Sequence, residues 1–189
     1  MFRELLAAEF ARYVTLSGSQ LDQLEEHYKL LLRWNQSLNL TRIVDLQSAV
    51  RLHYCESLFV GATLPAGDLT VIDVGSGAGF PGIPLAILRP ECRIDLVESH
   101  KRKSVFLREA VRGLPNVQVI AERAESVEGD WDWLVSRAVR PDEVLGLPIG
   151  RRKAILMGSK DLEGFKNPEA FVKVPWGLDR ILAMFHVEQ

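Results

Sequence analysis

Between residues 69 and 135 the chain alternates short, continuous apolar runs with stretches of helical spacing. Leu69-Thr70-Val71-Ile72-Asp73-Val74, Arg93-Ile94-Asp95-Leu96-Val97, Val117-Gln118-Val119-Ile120 and Trp133-Leu134-Val135 read as strands. Unbroken β-branched runs of this kind suit strands buried on both faces. Between the first two, Ile83, Leu85, Ala86 and Leu88 supply one apolar helix face, and Pro90 ends it. Three more runs follow at Ala154-Ile155-Leu156-Met157, Phe171-Val172-Lys173-Val174 and Ile181 to Phe185. The last two are separated by Pro175 and Gly177, which predicts an antiparallel hairpin. Strands alternating with helices predict an α/β fold with a doubly wound, seven-stranded, mostly parallel sheet. Upstream the period changes. Residues 2–14 predict a short helix, and Leu21, Leu24, Tyr28, Leu31 and Leu32 recur at helical spacing behind a capping box predicted at Ser19 and Asp22. The expected organisation is a helical extension over residues 1–60 packed on a sheet domain over residues 61–189, with both forming one structural domain.

The first strand runs into Asp73-Val74-Gly75-Ser76-Gly77-Ala78-Gly79-Phe80-Pro81-Gly82, and the second delivers Glu98 at its C-terminal end. Open α/β sheets bind ligands at that end of their strands, and alternate glycines let backbone approach a ligand where a Cβ would collide. A carboxylate at Glu98 is placed to accept from the two hydroxyls of a ribose. Dinucleotide sites share that acid but require a third glycine where Phe80 stands. Asp73 beside the loop also repels phosphate and attracts a cation. S-Adenosylmethionine combines a ribose, an ammonium and a sulfonium with no phosphate, and it fits both carboxylates. An NAD-dependent oxidoreductase fits less well.

Composition narrows the acceptor more than the donor. The 189 residues carry a formal charge of −2 and are 47% hydrophobic, which excludes a generally basic protein that coats nucleic acid. Any RNA contact must be local. Lys101, Arg102 and Lys103, with Arg108 and Arg112 nearby, make one cluster, and Arg151, Arg152 and Lys153 make another. Cys55 and Cys92 lack metal or disulfide spacing, and His27, His53, His100 and His186 are scattered, so no metal is expected. With no predicted leader or membrane span, the expected location is cytoplasmic.

Taken together, these segments resemble the bacterial small-subunit (16S) ribosomal RNA guanine-N7 methyltransferases, the glucose-inhibited division protein B family. The resemblance is carried by Trp34-Asn35, Asn39-Leu40-Thr41, His53, Ser57-Leu58, Asp73 to Pro84, Lys101-Arg102-Lys103 with Phe106-Leu107, and Ser136-Arg137-Ala138. It implies a class I, Rossmann-like methyltransferase that transfers a methyl group from S-adenosylmethionine to N7 of a guanine. It further implies cofactor contacts from Asp73, Gly75, Gly77, Gly79, Phe80, Glu98, Ala124, Glu125 and Arg137. The two basic clusters would meet the RNA or the small ribosomal subunit, with the chain acting as a monomer. Phe80 or Tyr54 is the expected stacking aromatic, and Arg137 would face the cofactor or the RNA, or pair with Asp73 or Glu98. No general base is expected, because N7 carries a lone pair and no hydrogen. Glu56 stands where the family has Asp in its His-x-x-Asp-Ser-Leu element, and residues 141–189 are shorter than usual. Other acceptors, an RNA or a small molecule, and a non-catalytic assembly factor are the alternatives.

Overall fold

A computed structural model describes residues 1–165 and 168–186. Its helices α1 (Phe2–Phe10) and α2 (Gly18–Leu38) are followed by a short α3 (Leu46–Ala49), a π-helical turn (Val50–Cys55) and α4 (Glu56–Thr63). The remainder runs β1 (Thr70–Val74), α5 (Gly82–Leu88), β2 (Arg93–Val97), α6 (Lys101–Ala110), β3 (Val117–Ile120), β4 (Trp133–Arg137), α7 (Pro141–Gly146), β5 (Arg152–Gly158), β6 (Ala170–Lys173) and β7 (Arg180–His186). All seven predicted strands form. The sheet order is β3-β2-β1-β4-β5-β7-β6; β3, β2, β1, β4 and β5 are parallel, while β7 is antiparallel to both β5 and β6. The chain moves outward from β1 to β3 and then returns to β4 on the other side of β1. That reversal opens a crevice at the C-terminal ends of β1 and β4.

Successive strand residues feed opposite faces. Val71, Ile94, Leu96, Val135 and Leu156 join a large core with α4, α5 and the N-terminal helices. Ile72, Val74, Val97, Leu134 and Ile155 join a smaller core with Trp131, Val144 and Leu147 on the other face. The helical extension is therefore part of the main core, with Phe2, Leu6 and Phe10 of α1 fully covered.

Two local expectations shift. The capping box of α2 is Ser17 with Gln20, not Ser19 with Asp22: Ser17 Oγ accepts from Gln20 N–H at 3.2 Å and Gln20 Oε1 accepts from Ser17 N–H at 2.9 Å. The helix starts earlier because Ser17 already satisfies the exposed amides, and Asp22 instead pairs with Arg3 at 2.7 Å. Helix α1 stops at Phe10, where Tyr13 N–H turns back to the Phe10 carbonyl.

Candidate methyl-donor cleft

The glycine loop leaves β1 beneath the C-terminal end of β2. Gly75, Gly77 and Gly79 have φ of 73°, 55° and 87°, a region that side chains with a Cβ rarely enter. A Cβ at Gly75 would also collide with Val139, and one at Gly79 with Ile83. Glu98 fixes the loop from β2: its Oε2 accepts from Gly77 N–H at 3.0 Å, and Oε1 accepts from His100 N–H at 2.7 Å. Each carboxylate oxygen keeps a further lone pair for a ligand hydroxyl. A cleft of about 210 Å³ lies beside the loop, lined by Thr41, Gly75, Gly77, Glu98, Lys103 and Arg137 among others.

Asp73 sits under this loop, fully buried. Its Oδ2 accepts from Gly82 N–H at 2.9 Å, which anchors the start of α5, while its Oδ1 meets no donor within the protein. Burial pushes its pKa up to about 7, against the lowering effect of the Gly82 amide. A buried carboxylate oxygen without a partner is costly, and although Asp73 lies beneath the cleft and does not line it, a cation held in the cleft would lower that cost across the glycine loop.

The helical extension builds the other wall. Asn39 ends α2 in the left-handed conformation, and Asn35 clasps the returning chain: its Oδ1 accepts from Thr41 N–H at 2.9 Å and its Nδ2 donates to the Thr41 carbonyl at 3.0 Å. His53, on the π-helical turn, has Nδ1 2.9 Å from an Arg137 Nη2 that can only donate, so Nδ1 accepts and Nε2–H faces Thr41 Oγ1 at 2.8 Å. Burial and the Arg137 charge lower the His53 pKa to about 3, which fixes the ring as neutral.

Arg137, the last residue of β4, donates to the Leu52 carbonyl at 2.6 Å and lies 3.8 Å from Glu56. Its partners come from the helical extension instead of Asp73 or Glu98. The Phe80 ring is covered by a joined pair: His53 stacks on it at 4.6 Å, and the Arg137 guanidinium hydrogen-bonded to His53 lies 5.1 Å from its centroid. Tyr54 is fully buried with its hydroxyl 2.9 Å from His27 Nδ1, so it is closed to a ligand base as a stacking surface.

His27 is the residue that sequence reasoning missed. Its Nε2 lies 3.1 Å from the Ala78 carbonyl, which can only accept, so Nε2–H donates there and Nδ1 accepts from Tyr54. Burial lowers its pKa to about 4. A neutral imidazole thus ties α2 and the π-helical turn to the glycine loop.

The basic clusters divide. Lys101, Arg102 and Lys103 occupy the first turn of α6 beside the cleft, with Lys101 and Arg102 exposed. Cations there oppose the helix dipole at a cost of a few tenths of a kcal/mol each, and they add to the positive potential of the helix start. The second cluster lies at the N-terminal end of β5, the opposite end of the sheet from the cleft. Arg151 pairs with Asp130 and Asp132, and Arg152 lies over Trp133.

The expectation that Lys153 meets RNA is overturned by its burial. Its Nζ donates to the carbonyls of Val144, Leu145 and Leu147 at 3.0, 2.8 and 2.6 Å, closing the C-terminus of α7. Lys153→Met should lower stability by about 1–2 kcal/mol in chemical denaturation, because the three carbonyls lose their donor while a buried ammonium is no longer desolvated. Unchanged stability would mean that water replaces the ammonium. Ala124 and Glu125 stand on the turn after β3, the first half-buried and the second exposed, outside the lining of the cleft.

The geometry has counterparts among known proteins. A "SAM dependent methyltransferase from Aquifex aeolicus" shares the fold with a TM-score of 0.54 at 19% identity, over 73% of this chain and 93% of that one. Two curated relatives carry the name "Ribosomal RNA small subunit methyltransferase G". The protein of Pelotomaculum thermopropionicum is 43% identical over 70% of this chain and 59% of its own length. That of Dichelobacter nodosus is 48% identical over 63% of this chain and 58% of its own. The chain thus spans about six-tenths of these relatives. The model of the family described as rRNA small subunit methyltransferase G matches residues 20–146, well over half of the sequence, and the chain belongs to that family.

Proposed function

We propose that this chain transfers a methyl group from S-adenosylmethionine to N7 of a guanine in small-subunit ribosomal RNA. The observation that carries the donor half is the unpartnered, buried Asp73 Oδ1 beneath a left-handed glycine loop, with Glu98 across it. Glu98 would accept the ribose hydroxyls, Asp73 would draw the ammonium, and the bare backbone from Gly75 to Gly79 would admit the amino-acid part. Phe80 would act through its backbone, since its ring is held by His53 and Arg137. Ala124 and Glu125 remain the candidates for the adenine edge.

When bound, S-adenosylmethionine supplies an electrophilic methyl on positive sulfur, so the N7 lone pair forms the new bond as the carbon–sulfur pair returns to sulfur. No proton leaves N7, and the protein's task is alignment and exclusion of water. The neutral His53 suits that task, since it adds no charge beside a developing cation. Lys101, Arg102 and Lys103 would hold RNA phosphates at the rim of the cleft. The family name carries the choice of ribosomal RNA, and the reading puts the chain in the cytoplasm as a monomer.

The test is transfer of labelled methyl to small ribosomal subunits, and separately to protein-free RNA, from cells lacking the activity. Label recovered as 7-methylguanosine is expected. No label in either pool, from protein that binds the cofactor, would move the acceptor elsewhere. For the donor site, Glu98→Ala should weaken S-adenosylmethionine binding by roughly 10- to 100-fold, the worth of hydrogen bonds to a charged group. Calorimetry showing an unchanged dissociation constant would end the ribose role.

A further inference from the structure

A second cavity, of about 360 Å³, adjoins the donor cleft and shares His53, Arg137 and Ala138 with it. It lies on the β4–β5 side of the sheet, away from β2 and Glu98: Arg137 ends β4, and Arg180 opens β7 opposite the end of β5. Its volume falls within the ~300–1,000 Å³ of small-ligand sites. Glu56 is the only carboxylate among the described residues lining it.

Both ion-pair contacts of Glu56 fall on one oxygen. Arg180 Nη2 donates to Oε2 at 3.3 Å, and Arg137 Nη1 lies 3.8 Å from the same atom. Oε1 instead faces bare backbone: a Cβ at Gly177 would come within 2.8 Å of it. Burial raises the Glu56 pKa, and Arg180 and Arg137 pull it back toward the charged form. The carboxylate is thus steered by two arginines while presenting a further acceptor to the cavity.

We propose that this cavity receives the acceptor guanine, with Glu56 accepting hydrogen bonds from its N1–H and N2–H. The assignment rests on the methyl-transfer reading above and extends it to the acceptor. Guanine's N1 and N2 donors lie on the edge remote from N7, so a carboxylate there leaves the N7 lone pair free to face the donor cleft. Adenine carries an acceptor at N1 and no N2 amino group, so the same carboxylate repels it. The interaction also grows during the reaction. As N7 gains the methyl, positive charge spreads over the purine and makes N1–H and N2–H stronger donors. Glu56 therefore binds the transition state more tightly than the ground state.

The experiment uses the RNA that the wild type labels, with the mapped guanine kept or replaced by inosine, which lacks N2. For the wild type, inosine should lower kcat/KM by roughly 5- to 100-fold, the discrimination of a good two-point base contact. In Glu56→Gln the rate on guanine should fall mainly through kcat, and the inosine penalty should shrink to within about twofold, with S-adenosylmethionine affinity unchanged. Gly177→Ala, whose Cβ would press on the Arg180 side chain as well as on Oε1 and so disturb the Glu56 carboxylate, should impair transfer without weakening cofactor binding. It decides the matter if Glu56→Gln does not fold. A wild-type inosine penalty retained in Glu56→Gln, or full activity in Gly177→Ala, overturns this assignment alone. Absence of 7-methylguanosine from wild-type reactions overturns the activity reading and this one with it.

Discussion

Asp73→Asn should make the unliganded protein more stable at pH 8 and a poorer binder of S-adenosylmethionine. The folded chain holds this carboxyl with a pKa of about 7, against 3.8 as the ordinary value, because burial penalises the anion. Above pH 7 the native state carries a buried charge that the unfolded chain keeps in water. As pH falls from 7 toward 3.8, the native state takes up a proton that the unfolded chain still lacks, so stability from this group is full below 3.8 and is lost as pH rises through 7. Three pKa units correspond to about 4 kcal/mol as an upper bound. Asparagine preserves an acceptor for Gly82 N–H and carries no charge to bury. Its melting temperature should exceed that of the wild type at pH 8, and the gap should narrow by pH 5. Cofactor affinity should fall roughly a hundredfold, the worth of a charge-assisted contact in a dry site. A variant that is less stable at pH 8 would mean that the native carboxylate is already compensated without ligand. The more stable variant expected here would show a site built at the expense of stability, as binding sites often are.

Much of this arrangement was legible because its signals are local. Residues 93–97 and 117–120 form strands as the apolar runs predict, and the glycine loop turns where its residues demand left-handed backbone. The resemblance marked Asn35, Thr41 and His53, but their spacing did not reveal why they belong together. Asn35 clasps the chain at Thr41, and Thr41 orients His53, so a motif spread over nearly twenty residues is one hydrogen-bonded wall. The contacts that escaped are long-range. His27 reaches Ala78 across 51 positions, and nothing in the spacing of four scattered histidines marks one as a tether. Lys153 misled because a run of three cations reads as a surface patch. Its burial depends on strand alternation placing Nζ against the end of α7, a contact that only the folded sheet creates. Arg137 stood out in the sequence through the Ser-Arg-Ala element, yet its partner did not, since Glu56 lies on a helix 81 positions earlier.

That partner makes Arg137→Ala the most damaging single change expected here. Arg137 bridges β4 to the helical extension through Leu52, His53 and Glu56, and it covers one face of Phe80. Its burial lowers its pKa to about 10, partly offset by Glu56, and the guanidinium stays charged at neutral pH. Removing it leaves Glu56 buried with Arg180 alone, strips His53 Nδ1 of its donor and opens a void between the two cavities. Breaking a buried pair in this way costs roughly 3–5 kcal/mol, so the melting temperature should fall sharply along with methyl transfer. Adding Glu56→Gln to Arg137→Ala removes the uncompensated carboxylate and should recover part of the stability without restoring transfer. Recovery of stability together with transfer at the level of Glu56→Gln alone would reduce Arg137 to a counter-ion. Transfer well below that of Glu56→Gln alone, with stability regained, would show that the guanidinium is needed where the donor cleft meets the acceptor cavity, where it touches the walls of both.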